Sequence, residues 1–173
     1  MVNKLLHRHL PQHLKEKIDN IRDAIYLNKY DTSTNLYLAA EIEKWKNDVM
    51  QENSDNGKRY YQYIDSIKML LPEGARVLSE TSLHDARLNM ISNLNDAAIT
   101  FKLDCSQCCP PRGMCIMTFS GVKLFNISNK ALPMWWLCKE IELVNENCFR
   151  LQVLFDNGEC ELVAENLLWE WDN

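Results

Sequence analysis

The sequence is poor in the two residues that most often interrupt regular structure: its 173 residues include five glycines and five prolines. So few of them leave little room for flexible linkers, and the scattered glycines form no glycine-rich phosphate loop. Long apolar runs are also missing. The longest, residues 131–138, contains Pro133 and falls far short of the ~20 residues that a membrane helix needs. We therefore expect neither a membrane span nor a nucleotide-phosphate loop.

Basic charge is not in excess either. The 24 aspartates and glutamates outnumber the 19 lysines and arginines, so the formal net charge is −5 at pH 7. Nucleic acids and anionic membranes are bound mainly through clustered Lys and Arg, and we expect this protein to bind neither directly. The apolar fraction of 46% and the charged fraction of 25% are typical of a globular protein. We expect a single domain over 1–173.

An export signal is absent as well. In the first ten residues the longest apolar run is the pair Leu5 and Leu6, so the segment lacks the apolar core of a secretory signal peptide. We expect a cytoplasmic protein that begins where the sequence begins. The seven cysteines are then expected to be reduced thiols, several of them packed in the core.

In residues 1–77 the apolar residues recur with a period near 3.6, which is typical of amphipathic helices. Three helices are predicted, over residues 10–25, 34–49 and 60–71. The polar stretch 51–57 is expected to separate the second helix from the third. Pro72, which has no backbone N–H, is expected to end the third.

From about Leu78 the period changes to 2, which predicts β-strands. Six strands are predicted, over residues 84–90, 97–103, 114–125, 135–144, 148–155 and 159–164. The first two are expected to form an antiparallel hairpin, and Ser120 and Gly121 indicate a bulge in the third. Asn157 and Gly158 predict a type I′ turn, because this pair readily adopts two positive φ angles.

Helices followed by strands are typical of an α+β fold. We expect a three-helix segment (1–77) packed on an antiparallel sheet of about six strands (78–173), with residues 165–171 closing the fold as a short helical turn. Trp135 and Trp136 are neighbours in a predicted strand, so one ring should face the core and the other the opposite side of the sheet.

Four cysteines fall close together, at positions 105, 108, 109 and 115, and the C-x2-C pair within them is one way to present two zinc ligands. The second half of a zinc site is missing, because no further C-x2-C or H-x3-H follows. We favour a loop with reduced thiols, with no metal and no cofactor, over a zinc-binding module.

His84 stands beside Asp85 and near Ser82, which suggests a catalytic group. In a strand, however, adjacent side chains point to opposite faces, so Asp85 would not orient the imidazole of His84. A pair of His84 with Glu140 or Glu142 stays open as acid–base machinery or a ligand site. We favour a structural histidine and expect the protein not to be an enzyme.

The acidic charge is concentrated at the end of the chain. Residues 139–173 contain Lys139 and Arg150 against nine acidic residues, whereas the rest of the chain is nearly neutral. In the predicted strands these acids alternate with apolar residues, so one sheet face should be acidic. An antiparallel sheet with one wet face also produces this pattern, but complementary charge makes such a face suited to docking a basic protein.

Three segments resemble a family of small bacterial cytoplasmic proteins: Leu83-His84-Asp85-Ala86, the strand with Trp135, Trp136 and Glu140, and the hairpin 151–162. The resemblance covers roughly residues 78–165 and implies no catalytic activity. The overall build is similar to immunity proteins of contact-dependent growth inhibition systems, which neutralise the toxin made by their own cell.

This resemblance and the charge distribution lead to one hypothesis. The protein is expected to be an immunity protein that occludes the basic active site of a nuclease toxin, expected to be an RNase, by mimicking a polyanion. The sequence leaves open the toxin's identity, the oligomeric state and a binding role for the helical half. The predicted partner-binding residues are Glu140, Glu142, Asp156, Glu159, Glu161, Glu165, Glu170 and Asp172, with Trp169 or Trp171 as an apolar anchor.

Overall fold

The computed structural model of the chain describes residues 36–95 and 97–172. The chain divides into two compact units, Met1–Tyr61 and Gln62–Asn173. The helix predicted over residues 10–25 lies outside the described residues. The expectation of one domain over 1–173 stays a prediction.

The second and third predicted helices are one continuous helix, α1 (Leu36–Ile67), of 32 residues. The polar stretch 51–57 does not end it, because its side chains pair at helical spacing. The Gln51 amide donates to Asp55 over 3.1 Å, and Lys58 lies 3.5 Å from the same carboxylate. Gly57 costs this helix only about 1 kcal/mol relative to alanine, and no proline is present.

Helix α2 (Glu73–Glu80) belongs to the second unit and follows Pro72, whose fixed φ suits a helix start. It buries Gly74, Ala75 and Leu78. In the part of the chain that is described, neither helix is long and apolar enough to span a membrane.

The rest of the second unit is an antiparallel sheet of eight strands in the order β4-β7-β6-β5-β1-β2-β3-β8. The strands are β1 (Arg87–Asn95), β2 (Ala98–Asp104), β3 (Met114–Ser120), β4 (Leu124–Ile127), β5 (Met134–Asn145), β6 (Cys148–Phe155), β7 (Glu159–Ala164) and β8 (Asn166–Asp172).

The sheet folds over on itself at the β1–β5 junction, where the two strands pair over only two residues. Rings from the two halves meet in the core: Phe101 lies 6.2 Å from Phe125, and Phe119 lies 6.5 Å from Phe149. Glu165 alone connects β7 to β8. The core of this unit therefore lies between the two halves of one sheet.

The expected fold class is wrong. The described residues form a large eight-stranded sheet with one long and one short helix, rather than a three-helix segment on about six strands. One additional strand comes from residues 165–171, which are not helical. β8 pairs with β3 over seven residues, because Leu167, Trp169 and Trp171 alternate along it and face the same side as Phe119, Met117 and Cys115.

The other additional strand comes from the predicted strand 114–125. Gly121 adopts a φ of 63° and turns the chain, so that β3 ends at Ser120 and β4 pairs with β7 in the other half of the sheet. The first predicted strand also begins late, at Arg87, because His84 and Asp85 form a turn.

The hairpin β1–β2 and the bounds of β6 and β7 are confirmed. So is the split of the tryptophan pair, since Trp136 is 1% exposed and Trp135 36%. The type I′ turn is wrong: of the described residues, only Asp85 and Gly121 have positive φ angles. Asp156 instead pairs with Trp135: its N–H donates to the Trp135 carbonyl oxygen over 3.0 Å.

Candidate functional site

Four of the predicted partner-binding residues lie on the outer side of β5 and β7, and we call them the acidic face. Neighbouring strands place Glu140 opposite Gln152 and Gln152 opposite Glu161. Ile141, Cys160 and Leu162, which alternate with them, are buried, so the face points away from the core. Its members are Glu140, Glu142, Glu159 and Glu161.

Arg150 of β6 lies between the glutamates of the two flanking strands. Its Nη1 contacts Glu142 at 3.1 Å and its Nε lies 3.3 Å from a carboxylate oxygen of Glu161. The Nε atom is buried and makes this contact without hydrogen-bond geometry. One arginine thus holds two of the four carboxylates in place and leaves the face with a formal charge of −3.

Two other predicted residues have local structural contacts. The Asp156 carboxylate accepts a hydrogen bond from the Trp135 N–H over 3.0 Å. Glu165 forms a 2.7 Å ion pair with Lys123, which raises the pKa of that lysine. Both carboxylates remain exposed.

The predicted tryptophan anchors do not lie on the acidic face. Trp169 and Trp171 lie on β8, in the other half of the sheet, and their rings stack at 5.9 Å. Arg112 lies 5.3 Å above the Trp171 ring. Glu170 points to the opposite side of the same strand and is exposed, and only the backbone of Asp172 is described.

The histidine that sequence analysis favoured as structural is paired with the aspartate beside it. Nδ1 of His84 lies 2.9 Å from Oδ2 of Asp85, and both side chains are 54% exposed. Leu83 to Ala86 form a turn closed by the Ala86 N–H donating to Leu83, and Asp85 has a φ of 69°. The strand argument failed because these residues precede β1. The one signal of this turn in the sequence was Asp85 itself, because aspartate tolerates a positive φ.

The Cys105 to Cys115 region is a closed loop with three buried thiols. The Cys105 carbonyl accepts hydrogen bonds from the N–H groups of Cys108 and Arg112. Burial raises the pKa of Cys105 and Cys115 to about 12, so these thiols stay protonated at neutral pH. Within the described residues no group of three or more His, Cys, Asp or Glu could hold a metal ion.

Three described lysines have a shifted pKa, and of these only Lys139 has its amine inside the fold. Its Nζ donates a 2.7 Å hydrogen bond to the Thr81 carbonyl at the end of α2, and burial lowers its pKa to about 8. The acidic face therefore does not include this cation: Lys139 pairs across the sheet with buried Val153, on the core side.

Comparison with known proteins gives a family and distant likenesses to solved structures. No curated protein matches the chain. A crystal structure of an uncharacterized protein from Neisseria gonorrhoeae is 13% identical, covers 51% of this chain and 93% of that one, and has a TM-score of 0.40, which is too low to inform the fold. A family model described as "Protein of unknown function (DUF4085)" matches residues 2–164. The chain therefore belongs to the DUF4085 family.

Proposed function

We propose that this protein binds a basic protein through the acidic face and acts in the cytoplasm as an immunity protein against a nuclease toxin. The observation that supports the proposal is the cross-strand arrangement of four glutamates around Arg150. A nuclease holds its polyanionic substrate with Lys, Arg and His, and a rigid array of carboxylates is complementary to such a surface.

The sheet gives this array a fixed geometry before a partner arrives. Glu140 and Glu142 lie on one twelve-residue strand, and β6 hydrogen-bonds to it along most of its length. Because the backbone is already ordered, binding loses little conformational entropy there, and complementary charge speeds association.

The test reverses charge on the acidic face. The partner to be tested is a nuclease domain sought in the gene directly upstream of this protein's gene, and its affinity is measured by calorimetry over a salt series. Changing Glu159 and Glu161 together to lysine should weaken binding at least about tenfold, which corresponds to ~1.4 kcal/mol, and flatten the salt dependence. Cells that express the toxin should lose protection with this variant.

The matched control changes Asp48 and Glu52 of α1 to lysine, an equal charge change at exposed positions. The control should keep affinity and protection. If the control loses binding while the acidic-face variant keeps it, the acidic face is not the interface. If no nuclease gene lies upstream, or its product does not bind, the immunity function is rejected.

One observation supports a second function, a small enzyme or ligand-binding protein centred on His84. The Asp85 carboxylate lies 2.9 Å from Nδ1 of a half-exposed imidazole, and when Nδ1 donates to it, Nε2 is the hydrogen-bond or proton acceptor. The carboxylate partner is Asp85, rather than Glu140 or Glu142 as the sequence suggested.

The two functions predict different results for the variants His84→Ala and Asp85→Asn. Asparagine tolerates the positive φ of position 85 but lacks the charge. If the turn has a chemical role, both variants lose biological activity with unchanged unfolding midpoints. Full toxin protection by both variants would rule out this role and leave the acidic face.

A further inference from the structure

A cavity of about 450 Å³ lies at the end of the β5–β6 hairpin, outside the acidic face. Three of its lining residues are apolar and come from the segment between the helices, and three are polar. They are Leu70, Leu71 and Pro72, and Glu146, Asn147 and Glu165. The volume is in the range of pockets that hold small ligands or single large side chains.

The walls of this cavity are held by hydrogen bonds. On the apolar side the Leu70 N–H donates to Ile67 and the Pro72 carbonyl accepts from Arg76. On the polar side the Asn147 N–H donates to the Asn145 side chain over 2.9 Å, and Lys123 holds Glu165 at 2.7 Å. The cavity is wide open to solvent, and these contacts hold its lining segments in place, so a ligand would not have to order them.

The apolar wall is complementary to an aliphatic stem of a ligand, and the polar wall is complementary to a cationic head. Leu70 is 62% exposed and leaves apolar surface uncovered at this edge. Glu146 at the hairpin turn is exposed and supplies negative charge, and Asn147 adds a further acceptor, whereas Glu165 is already paired with Lys123. An arginine side chain packs its methylenes on apolar surface and presents five donors to such acceptors.

We propose that this cavity receives an arginine side chain of the basic partner, as an anchor beside the acidic face. The identity of the partner rests on the proposed function, whereas binding of a guanidinium group does not. Glu146 lies in the turn of the same hairpin, four residues after Glu142 and therefore at most about 14 Å from it. One partner surface can therefore contact both, and arginine is among the residues that most often anchor interfaces.

The experiment titrates butylguanidinium into the full-length protein and follows backbone amides by NMR. We expect saturable shifts at Leu70, Leu71, Glu146 and Asn147 at millimolar to tens of millimolar ligand. Glu146→Gln should weaken binding about threefold, the effect of one exposed ion pair. Glu52→Gln on helix α1, which removes an exposed charge outside both the cavity and the acidic face, should leave it unchanged.

Two further ligands measure the contributions of the aliphatic stem and of the cationic head separately. Guanidinium chloride at the same low concentrations lacks the aliphatic stem and should bind more weakly than butylguanidinium, and pentylamine tests whether lysine serves as well as arginine. Equal or tighter binding of pentylamine would overturn the choice of arginine.

Shifts that do not saturate, or that Glu52→Gln reduces as much as Glu146→Gln does, would overturn the cavity as the site. These outcomes are independent of the toxin experiment. If butylguanidinium fails to bind while charge reversal on the acidic face still abolishes protection, only this inference is lost. The reverse result would reject the acidic face as the interface and keep a guanidinium-binding cavity.

Discussion

The indole N–H of Trp169 donates a 2.9 Å hydrogen bond to the carbonyl oxygen of Gly74, which joins β8 to helix α2. The helix lies so close to the strand that a Cβ on Gly74 would come within 1.8 Å of the Leu167 carbonyl oxygen. Glycine is required at this position because of that close approach, and not because of an unusual φ. The contact explains why a helix of eight residues has a fixed position on the sheet.

Gly74→Ala should destabilise the protein by about 3 kcal/mol, because α2 must move away from β8 to make room for the methyl group. Urea unfolding followed by tryptophan fluorescence measures the change. Gly57→Ala is the matched control: a Cβ there meets nothing within 4 Å, so alanine should stabilise helix α1 by up to about 1 kcal/mol. A loss of less than about 0.5 kcal/mol at Gly74 would contradict the close contact.

Substitutions of Asp85 should change the free energy of unfolding according to how well the new residue tolerates positive φ. With φ at 69°, Asp85→Gly and Asp85→Asn should change the free energy of unfolding by less than about 1 kcal/mol, whereas Asp85→Val should cost about 2 kcal/mol. Equilibrium urea unfolding provides the comparison. If valine were as well tolerated as asparagine, the turn at Leu83–Ala86 would have another conformation.

Arg150→Met should destabilise the protein by about 1 kcal/mol at low salt, and by less at high salt. It leaves Glu142 and Glu161, whose side chains are 43% and 35% exposed, without the cation between them. The same change makes the acidic face more negative, so a basic partner should associate faster. Stopped-flow mixing at low salt measures that rate, and an unchanged or slower rate would argue against docking on this face.

The buried thiols and the buried Lys139 should change the free energy of unfolding in opposite directions as the pH rises. The pKa values of Cys105, Cys115 and Cys160 are raised to about 12, so the unfolded chain loses these protons first and stability falls as pH rises above about 9. The pKa of Lys139 is lowered to about 8, so between about pH 8 and 10 the unfolded chain binds more protons and stability rises.

Three thiols outnumber one lysine, so the free energy of unfolding should decline overall above pH 9. Lys139→Met should steepen that decline between about pH 9 and 10, since the opposing contribution is removed. Urea unfolding of both proteins across this range tests the sign. Parallel pH profiles for the two proteins would show that the Lys139 amine is not buried as described.

The alternation of side chains in β6 and β7 was sufficient to predict both strands to the residue, because one face of each is buried and the other is wet. The same alternation in β8, with Leu167, Trp169 and Trp171 on one side, was available but was outweighed by the expectation of a helical end. The length of α1 was obscured because polar residues at 51–57 look like a break when side-chain pairing along a helix is not considered.

By itself the sequence determined which residues alternate, where the acidic charge concentrates and that Trp135 and Trp136 face opposite sides. These are properties of one strand or of local composition, and local sterics and the pleat decide them. Only the tertiary structure decided that Arg150 lies between Glu142 and Glu161, that β3 and β4 belong to different halves of the sheet, and that α2 meets β8 at Gly74. Those relationships depend on strand order and on contacts between residues far apart in the chain, which no local pattern encodes.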